Sequence, residues 1–272
     1  MTGVRKRIRY AQNFLKDPEL VRQIVESSNI SRLDTVYEIG PGEGIITMVL
    51  AEMCKLVVAI EIDPALAAHL KIKLRDIRNV RIVTADFLTY NIKGERYKVF
   101  SNIPFNATAD IIRKLLADRD MLTDAYLILQ KEAAEKFAGT PRETQFSVLT
   151  KPWFQFTIER HFRRTDFEPV PSVEVVLLHI AKRHQALVST EDELAFRRFI
   201  AFGFGAWKKD LKITFKKVFT YEQWKRLSSE LGFPLRPKPT ELTFEQWLGL
   251  FDAFLHVVPG EKRSLVFREA LR

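Results

Sequence analysis

Between residue 16 and about residue 180 the chain alternates short apolar runs with longer segments whose apolar positions recur at helical spacing. Lys16–Asn29 carries Leu20, Val21, Ile24 and Val25 on one face after a Lys-Asp-Pro start, and this predicts a helix. Thr35–Gly40 predicts a buried strand, Ile45–Cys54 a helix, Leu56–Glu61 a strand, Pro64–Arg78 a helix and Val80–Asp86 a strand. Val99 leads a fourth strand into Asn102, Thr108–Leu116 is helical, and Ala125–Gln130, Phe156–Phe162 and Val173–Ile180 are strands. Strands alternating with helices predict an α/β fold built on a parallel, doubly wound, Rossmann-like sheet. Ligands of such sheets bind outside the carboxyl ends of the strands.

The pattern changes after about residue 182. Glu191–Phe204, Trp207–Phe219, Tyr221–Leu231 and Phe244–Leu255 all have helical spacing, with a proline-rich break at 234–239. The expected division is a catalytic domain over residues 1–181 and a small helical domain over 182–272.

Charge sharpens this division. The chain carries 43 Lys and Arg against 34 Asp and Glu, a net +9. Residues 182–272 hold +6 of that and the longer first part only +3. A positive field favours polyanionic partners such as nucleic acid or an acidic membrane surface, although solubility alone would explain the charge equally well. No apolar stretch is long enough to span a bilayer, and the basic N-terminus lacks the apolar run of a signal peptide. The single cysteine, Cys54, offers no intrachain disulfide and no cysteine-based zinc site. These features lead us to expect a cytoplasmic monomer without a metal and without a membrane partner.

Candidate chemistry lies at the predicted strand ends. Glu38-Ile39-Gly40-Pro41-Gly42-Glu43-Gly44 joins the first strand to the next helix, and Gly40 and Gly42 permit a tight turn and close approach to a ligand. Such a turn alone would also suit NAD, FAD or a nucleotide, but its spacing is not that of the dinucleotide fingerprint, and the chain has no Walker sequence. Two acids narrow the choice. Glu61 ends the second strand, where a carboxylate can accept from two ribose hydroxyls; Asp86 ends the third, where it can accept from an adenine amine. Either acid alone would be read as a helix cap. The glycine turn with both acids points to S-adenosylmethionine.

Ser101-Asn102-Ile103-Pro104-Phe105-Asn106 follows the fourth strand. An adenine amine is a poor nucleophile, because its lone pair is delocalised into the ring. The Asn102 side-chain oxygen and the Ile103 carbonyl can each accept one amine proton, which holds the nitrogen in line for methyl transfer. Pro104 fixes the backbone direction, and Phe105 offers a face for an extruded base. No general base is needed, since the cationic product can lose its proton to water.

In order and spacing these motifs closely resemble those of the ribosomal RNA adenine N6-methyltransferases. The matching residues are Gln12-Asn13-Phe14-Leu15, the Glu38–Gly44 turn, Glu61, Asp86-Phe87-Leu88, Asn102-Ile103-Pro104-Phe105 and Phe167-Glu168-Pro169-Val170-Pro171-Ser172-Val173. The resemblance covers essentially the whole chain. It implies cofactor contacts at Asn13, Leu15, Gly40, Gly42, Glu61, Asp86 and Asn102, and a loop around Phe167 that closes over the target base. Many relatives carry Tyr where this chain has Phe105, so stacking is retained without a hydroxyl. Asn-Ile-Pro-Phe, Trp207-Lys208-Lys209, Lys216-Lys217-Val218-Phe219-Thr220 and Thr243-Phe244-Glu245-Gln246-Trp247 are most similar to the Erm branch. That branch implies a 23S ribosomal RNA substrate and resistance to macrolides, lincosamides and streptogramin B. The alternative is the housekeeping dimethyltransferase branch, which implies a 16S substrate. A DNA adenine or protein glutamine methyltransferase fits the motif order less well, and a catalytically dead RNA-binding relative is disfavoured by the intact Asp86 and Asn102. Candidate phosphate contacts are Arg5, Lys6, Arg7, Arg9, Arg160, Arg163, Arg164, Lys208, Lys209, Lys216 and Lys217, any of which could equally be a solvated charge.

Overall fold

The computed structural model describes residues 13–205 and 210–269. Gln12, Arg5, Lys6, Arg7, Arg9, Trp207, Lys208 and Lys209 lie outside the described residues. Two compact units emerge, residues 1–134 with 155–182, and residues 135–154 with 183–272.

The first unit is built on a seven-stranded sheet. Its strands are β2 (Thr35–Ile39), β3 (Leu56–Glu61), β4 (Val80–Thr84), β5 (Tyr97–Asn102), β6 (Leu122–Gln130), β7 (Phe154–His161) and β9 (Val175–Lys182), in the order β4-β3-β2-β5-β6-β9-β7. A separate two-stranded ribbon pairs β1 (Phe14–Leu15) with β8 (Phe167–Glu168). The α/β class expected from the alternation is the one observed, with one correction to the parallel sheet. Strands β2 to β6 pair in parallel, whereas β9 runs antiparallel to β6, with Gln130 opposite Val175 and Asp124 opposite Ala181. A fully apolar run such as Val175–Leu178 reads the same in either direction, so its periodicity carries no sign of polarity.

Helix starts follow local chemistry. Asp17 caps the helix Pro18–Glu26 by accepting from the Glu19 N–H at 2.9 Å, and Asp63 caps Pro64–Lys73 by accepting from the Ala65 N–H at 2.8 Å. Both helices carry proline at their first position, where its missing N–H is not needed. Leu20, Val21, Ile24 and Val25 bury one face of Pro18–Glu26 in a core shared with Val36, Val57, Phe100 and Leu177 of the sheet.

In the second unit the helices Glu193–Gly205, Tyr221–Leu231 and Phe244–Val257 surround an aromatic core of Phe196, Phe199, Phe215, Trp247, Phe251 and Phe254. Thr220–Gln223 and Thr243–Gln246 form reciprocal capping boxes that fix two of the helix starts. The proline-rich break is tied down by the Trp224 and Trp247 indoles, which donate to the carbonyls of Leu235 and Pro239. The helix expected over 207–219 is reduced to Leu211–Thr214 among the described residues. The expected domain boundary also needs revision, because residues 135–154 group with the second unit. Val148 lies in the aromatic core, and the Arg183 N–H donates to the Trp153 carbonyl at 2.8 Å. Contiguity in sequence hides an insertion of this kind.

Candidate functional site

Chain order reverses at β2, which has β3 on one side and β5 on the other. Only Val36 and Tyr37 of β2 pair with β5, so the two strands separate toward their carboxyl ends. Ser101 spans the gap there. Its buried hydroxyl donates to the Ile39 carbonyl at 2.6 Å and accepts from the Ile39 N–H at 3.2 Å. The glycine turn leaves β2 on one side of this bridge, and the Asn102–Phe105 segment leaves β5 on the other.

Gly40 and Gly42 have φ of 66° and 57°, the left-handed region that side chains disfavour. Gly42 also lies under the Phe14 ring, and a Cβ there would come within 2.3 Å of it. The Gly40 N–H donates to the Ile60 carbonyl at 2.9 Å, anchoring the turn to β3.

Glu61 is 3% exposed at the end of β3. Its two oxygens accept from the N–H groups of Asp63 (2.9 Å) and Gly42 (3.3 Å). Burial holds its carboxyl above the usual range, partly opposed by these two bonds. A carboxylate has lone pairs left over after two such bonds and can still accept from a ligand. Glu38, 1% exposed, accepts from the Thr47 hydroxyl at 2.6 Å. Burial pushes its carboxyl up to about 8, with the nearby Glu61 charge adding to the rise. Asp86 follows β4 and organises its own loop: Oδ1 accepts from the Leu88 N–H at 2.8 Å, and its carbonyl accepts from Thr89 and Tyr90.

Gly40, Glu61, Asp86 and Pro104 line one cleft of about 200 Å³. The sequence reading missed the apolar part of its wall, formed by Ile39, Ile60, Ile62, Phe87, Leu88 and Ile111. The only sequence signal for these residues was their place beside the strand-end motifs or, for Ile111, on the helix that follows the Asn102–Phe105 segment. Apolar walls with two separated acceptors fit an adenosine group, whose purine is flat and whose diol and amine are donors. These residues therefore suit S-adenosylmethionine.

Asn102 ends β5 with its side-chain N–H₂ donating to the Asn13 carbonyl at 2.6 Å. That bond turns its oxygen away from Asn13 and leaves it as an acceptor. Ile103 is buried, and its N–H is held by the Ile128 carbonyl at 3.2 Å. Pro104 (φ −65°) leads into a short 3-10 turn, Phe105–Ala107, and Phe105 is half-buried against the core. Asn13 and Leu15 reach this region through the β1–β8 ribbon, with Leu15 paired to Phe167. The Leu15 side chain is buried in the core.

The expectation for Phe167 requires correction. Its ring is fully buried and sits edge-on to Phe162 with centroids 5.5 Å apart, so it belongs to the core and not to a surface that could meet a base. The exposed apolar residues of that loop are Val170 and Val173. Among the candidate phosphate contacts, Arg160, Arg163, Arg164, Lys216 and Lys217 are exposed. Arg160 lies over the Phe162 ring, and Arg164 donates to the Pro171 carbonyl at 2.6 Å, so part of its hydrogen-bonding capacity is already used. Among the described residues no group of three or more His, Cys, Asp or Glu could hold a metal ion, and no helix is long and apolar enough to cross a membrane.

A family model described as "Ribosomal RNA adenine dimethylase" matches residues 3–254. An "rRNA adenine N-6-methyltransferase" of Bacteroides fragilis is 30% identical over 261 residues, covering 95% of this chain and 98% of that protein. A "Ribosomal RNA small subunit methyltransferase A" of Geobacter metallireducens is 32% identical over 219 residues, covering 77% of this chain and 80% of that protein. Among solved structures, the 23S rRNA methyltransferase ErmE aligns with a TM-score of 0.84 at 27% identity, covering 90% of this chain and 100% of that one. A dimethyladenosine transferase from Plasmodium falciparum shares the fold, with a TM-score of 0.70 at 21% identity over 89% of this chain and 97% of that one.

Proposed function

The chain belongs to the ribosomal RNA adenine dimethylase family, and on that premise we propose that its substrate is one adenine of 23S ribosomal RNA. It is an S-adenosylmethionine-dependent rRNA adenine N6-methyltransferase. Bound in the cleft, S-adenosylmethionine supplies an electrophilic methyl group on a sulfonium.

The chain's own residues position the amine. Asn102 is oriented by the Asn13 carbonyl so that its side-chain oxygen is free to accept one amine N–H. The Ile103 carbonyl accepts the other, on a backbone pinned to β6 through Ile128. Two acceptors hold the nitrogen still and favour tetrahedral geometry, which localises its lone pair on nitrogen for an in-line attack. Phe105 stacks on the extruded base, and a base leaves a loop or irregular helix at the lowest cost. Glu61 accepts from the cofactor ribose and Asp86 from its adenine amine. Exposed Lys216 and Lys217 of the second unit contact phosphate.

The observation that carries the 23S reading is the likeness to ErmE along nearly the whole chain at 27% identity. On this reading the modification confers resistance to macrolides, lincosamides and streptogramin B, because methyl groups on the amine crowd the drug and remove hydrogen-bond donors. The Geobacter metallireducens relative favours a second reading, a small-subunit substrate. Primer extension on RNA from bacteria expressing the chain separates the two. The 23S reading expects one new stop in the large-subunit RNA together with erythromycin tolerance. Stops at adenines of the small-subunit RNA with unchanged drug sensitivity would replace it with the second reading.

A further inference from the structure

We propose that Lys114 is a positioning residue for cofactor binding: its ammonium gathers the loop after β4 and holds Asp86, Phe87 and Leu88 against the cleft. This rests on reading that cleft as the S-adenosylmethionine site.

Lys114 lies on the helix Thr108–Ala117, which starts just after the Asn102–Phe105 segment. Ile111, one turn earlier on the same face, lines the cleft. The Lys114 ammonium donates to three backbone carbonyls of one loop, those of Phe87, Leu88 (3.0 Å) and Tyr90. It also lies 4.9 Å from the centre of the Phe87 ring. A lysine ammonium has three donors, so the cage uses its whole capacity. Burial lowers its pKa, while the charges of Asp86 and Asp118 act in the opposite direction and favour the cation.

The continuing stretch Thr89, Tyr90 and Asn91 borders a hollow of about 320 Å³ together with Tyr97, Lys114 and Asp118. The loop thus lines the cleft through Asp86, Phe87 and Leu88 and this hollow through Thr89, Tyr90 and Asn91, with Lys114 bonded to carbonyls of both stretches. Phe87 is buried, but Leu88 and Thr89 are exposed. The loop is tied to the rest of the fold by the Ala85 N–H, which donates to the Glu61 carbonyl, by the buried Phe87 ring, by the Tyr90 ring beside Tyr37, and by the Lys114 ammonium, which alone of these gathers three of its carbonyls. Loss of that ammonium would free three loop carbonyls beside a cleft and a hollow that are each large enough to admit water, so they could be solvated without unfolding the unit. The consequence falls on the position of Asp86 and Leu88, and hence on cofactor affinity.

Calorimetric titration with S-adenosylhomocysteine tests this on the full chain and on Lys114→Met, Lys114→Arg and Asp86→Ala. Lys114→Met keeps the stem and removes the donors. It is expected to weaken binding about tenfold or more. KM for S-adenosylmethionine should rise in step while kcat stays within about twofold, since the target-base residues are untouched. Lys114→Arg, which restores donors on a longer, planar group, should recover part of the affinity. Hydrogen exchange of the cofactor-free protein should show faster exchange at Leu88, Thr89 and Tyr90 in Lys114→Met, with the sheet unchanged. Unchanged affinity in Lys114→Met beside weakened binding in Asp86→Ala would overturn the role of Lys114 alone. Unchanged affinity in both variants would overturn the cleft assignment and this proposal with it. A loss of protection across the whole unit would reduce Lys114 to a structural residue and likewise overturn the proposal.

Discussion

Glu38 offers a test whose size can be worked from the structure. It lies on β2 next to the glycine turn, is 1% exposed, and has one strong hydrogen bond, from the Thr47 hydroxyl. Burial raises its pKa from an ordinary 4.5 to about 8. Because the folded-state value lies above the unfolded one, the folded chain holds this proton more tightly. The resulting stability is fully present below 4.5, declines as pH rises through the window from 4.5 to about 8, and is gone above it. Each pH unit inside the window removes about 1.4 kcal/mol, and the whole shift corresponds to on the order of 5 kcal/mol. Glu38→Gln keeps the shape and an acceptor for Thr47 but cannot ionise. Urea unfolding of both proteins at several pH values between about 5 and 8 should give diverging stabilities, with the variant gaining on the parent by about that slope. Titrating groups that do not interact with Glu38 are common to both proteins and cancel in the difference, whereas the smaller coupling to Glu61 is part of what the difference measures. Parallel stability curves would show that Glu38 is not held protonated in the fold, and would refute the reasoning.

Three further outcomes follow from the site. Asn102→Ala should lower kcat by orders of magnitude while S-adenosylhomocysteine affinity changes little, whereas Asp86→Ala should weaken that affinity first; calorimetry beside single-turnover methylation separates them. Phe105→Tyr should be nearly neutral and Phe105→Ala should cost about 1–3 kcal/mol of RNA affinity, with a melting temperature measured alongside because the ring also packs on the core. Neutralising Lys216 and Lys217 together should reduce the slope of log affinity against log salt by about 0.7–0.9 per lost phosphate contact, and an unchanged slope would leave them as solvated charges.

The sequence by itself determined the fold class and the chemistry of the strand ends. Alternating apolar runs and helical stripes are local signals, so β2 to β6 and the helices between them were legible, as was the Lys-Asp-Pro start that Asp17 caps. Gly40, Glu61 and Asp86 were legible for a related reason: each sits where a strand stops, and parallel topology brings strand ends together. Long-range features were decided only by tertiary structure. The direction of β9, the grouping of residues 135–154 with the second unit, and the apolar wall of the cleft all depend on contacts between distant segments. So does the Asn13 carbonyl that orients Asn102 across 89 positions of chain. Phe167 illustrates the limit most clearly. A proline-flanked aromatic in a loop is compatible with a mouth or a core, and the Phe162 ring and the β1–β8 ribbon decide for the core. Lys114 reads as an ordinary helix-surface cation, because the three carbonyls it gathers from a loop 24 to 27 positions away leave no mark on the residues around it in sequence.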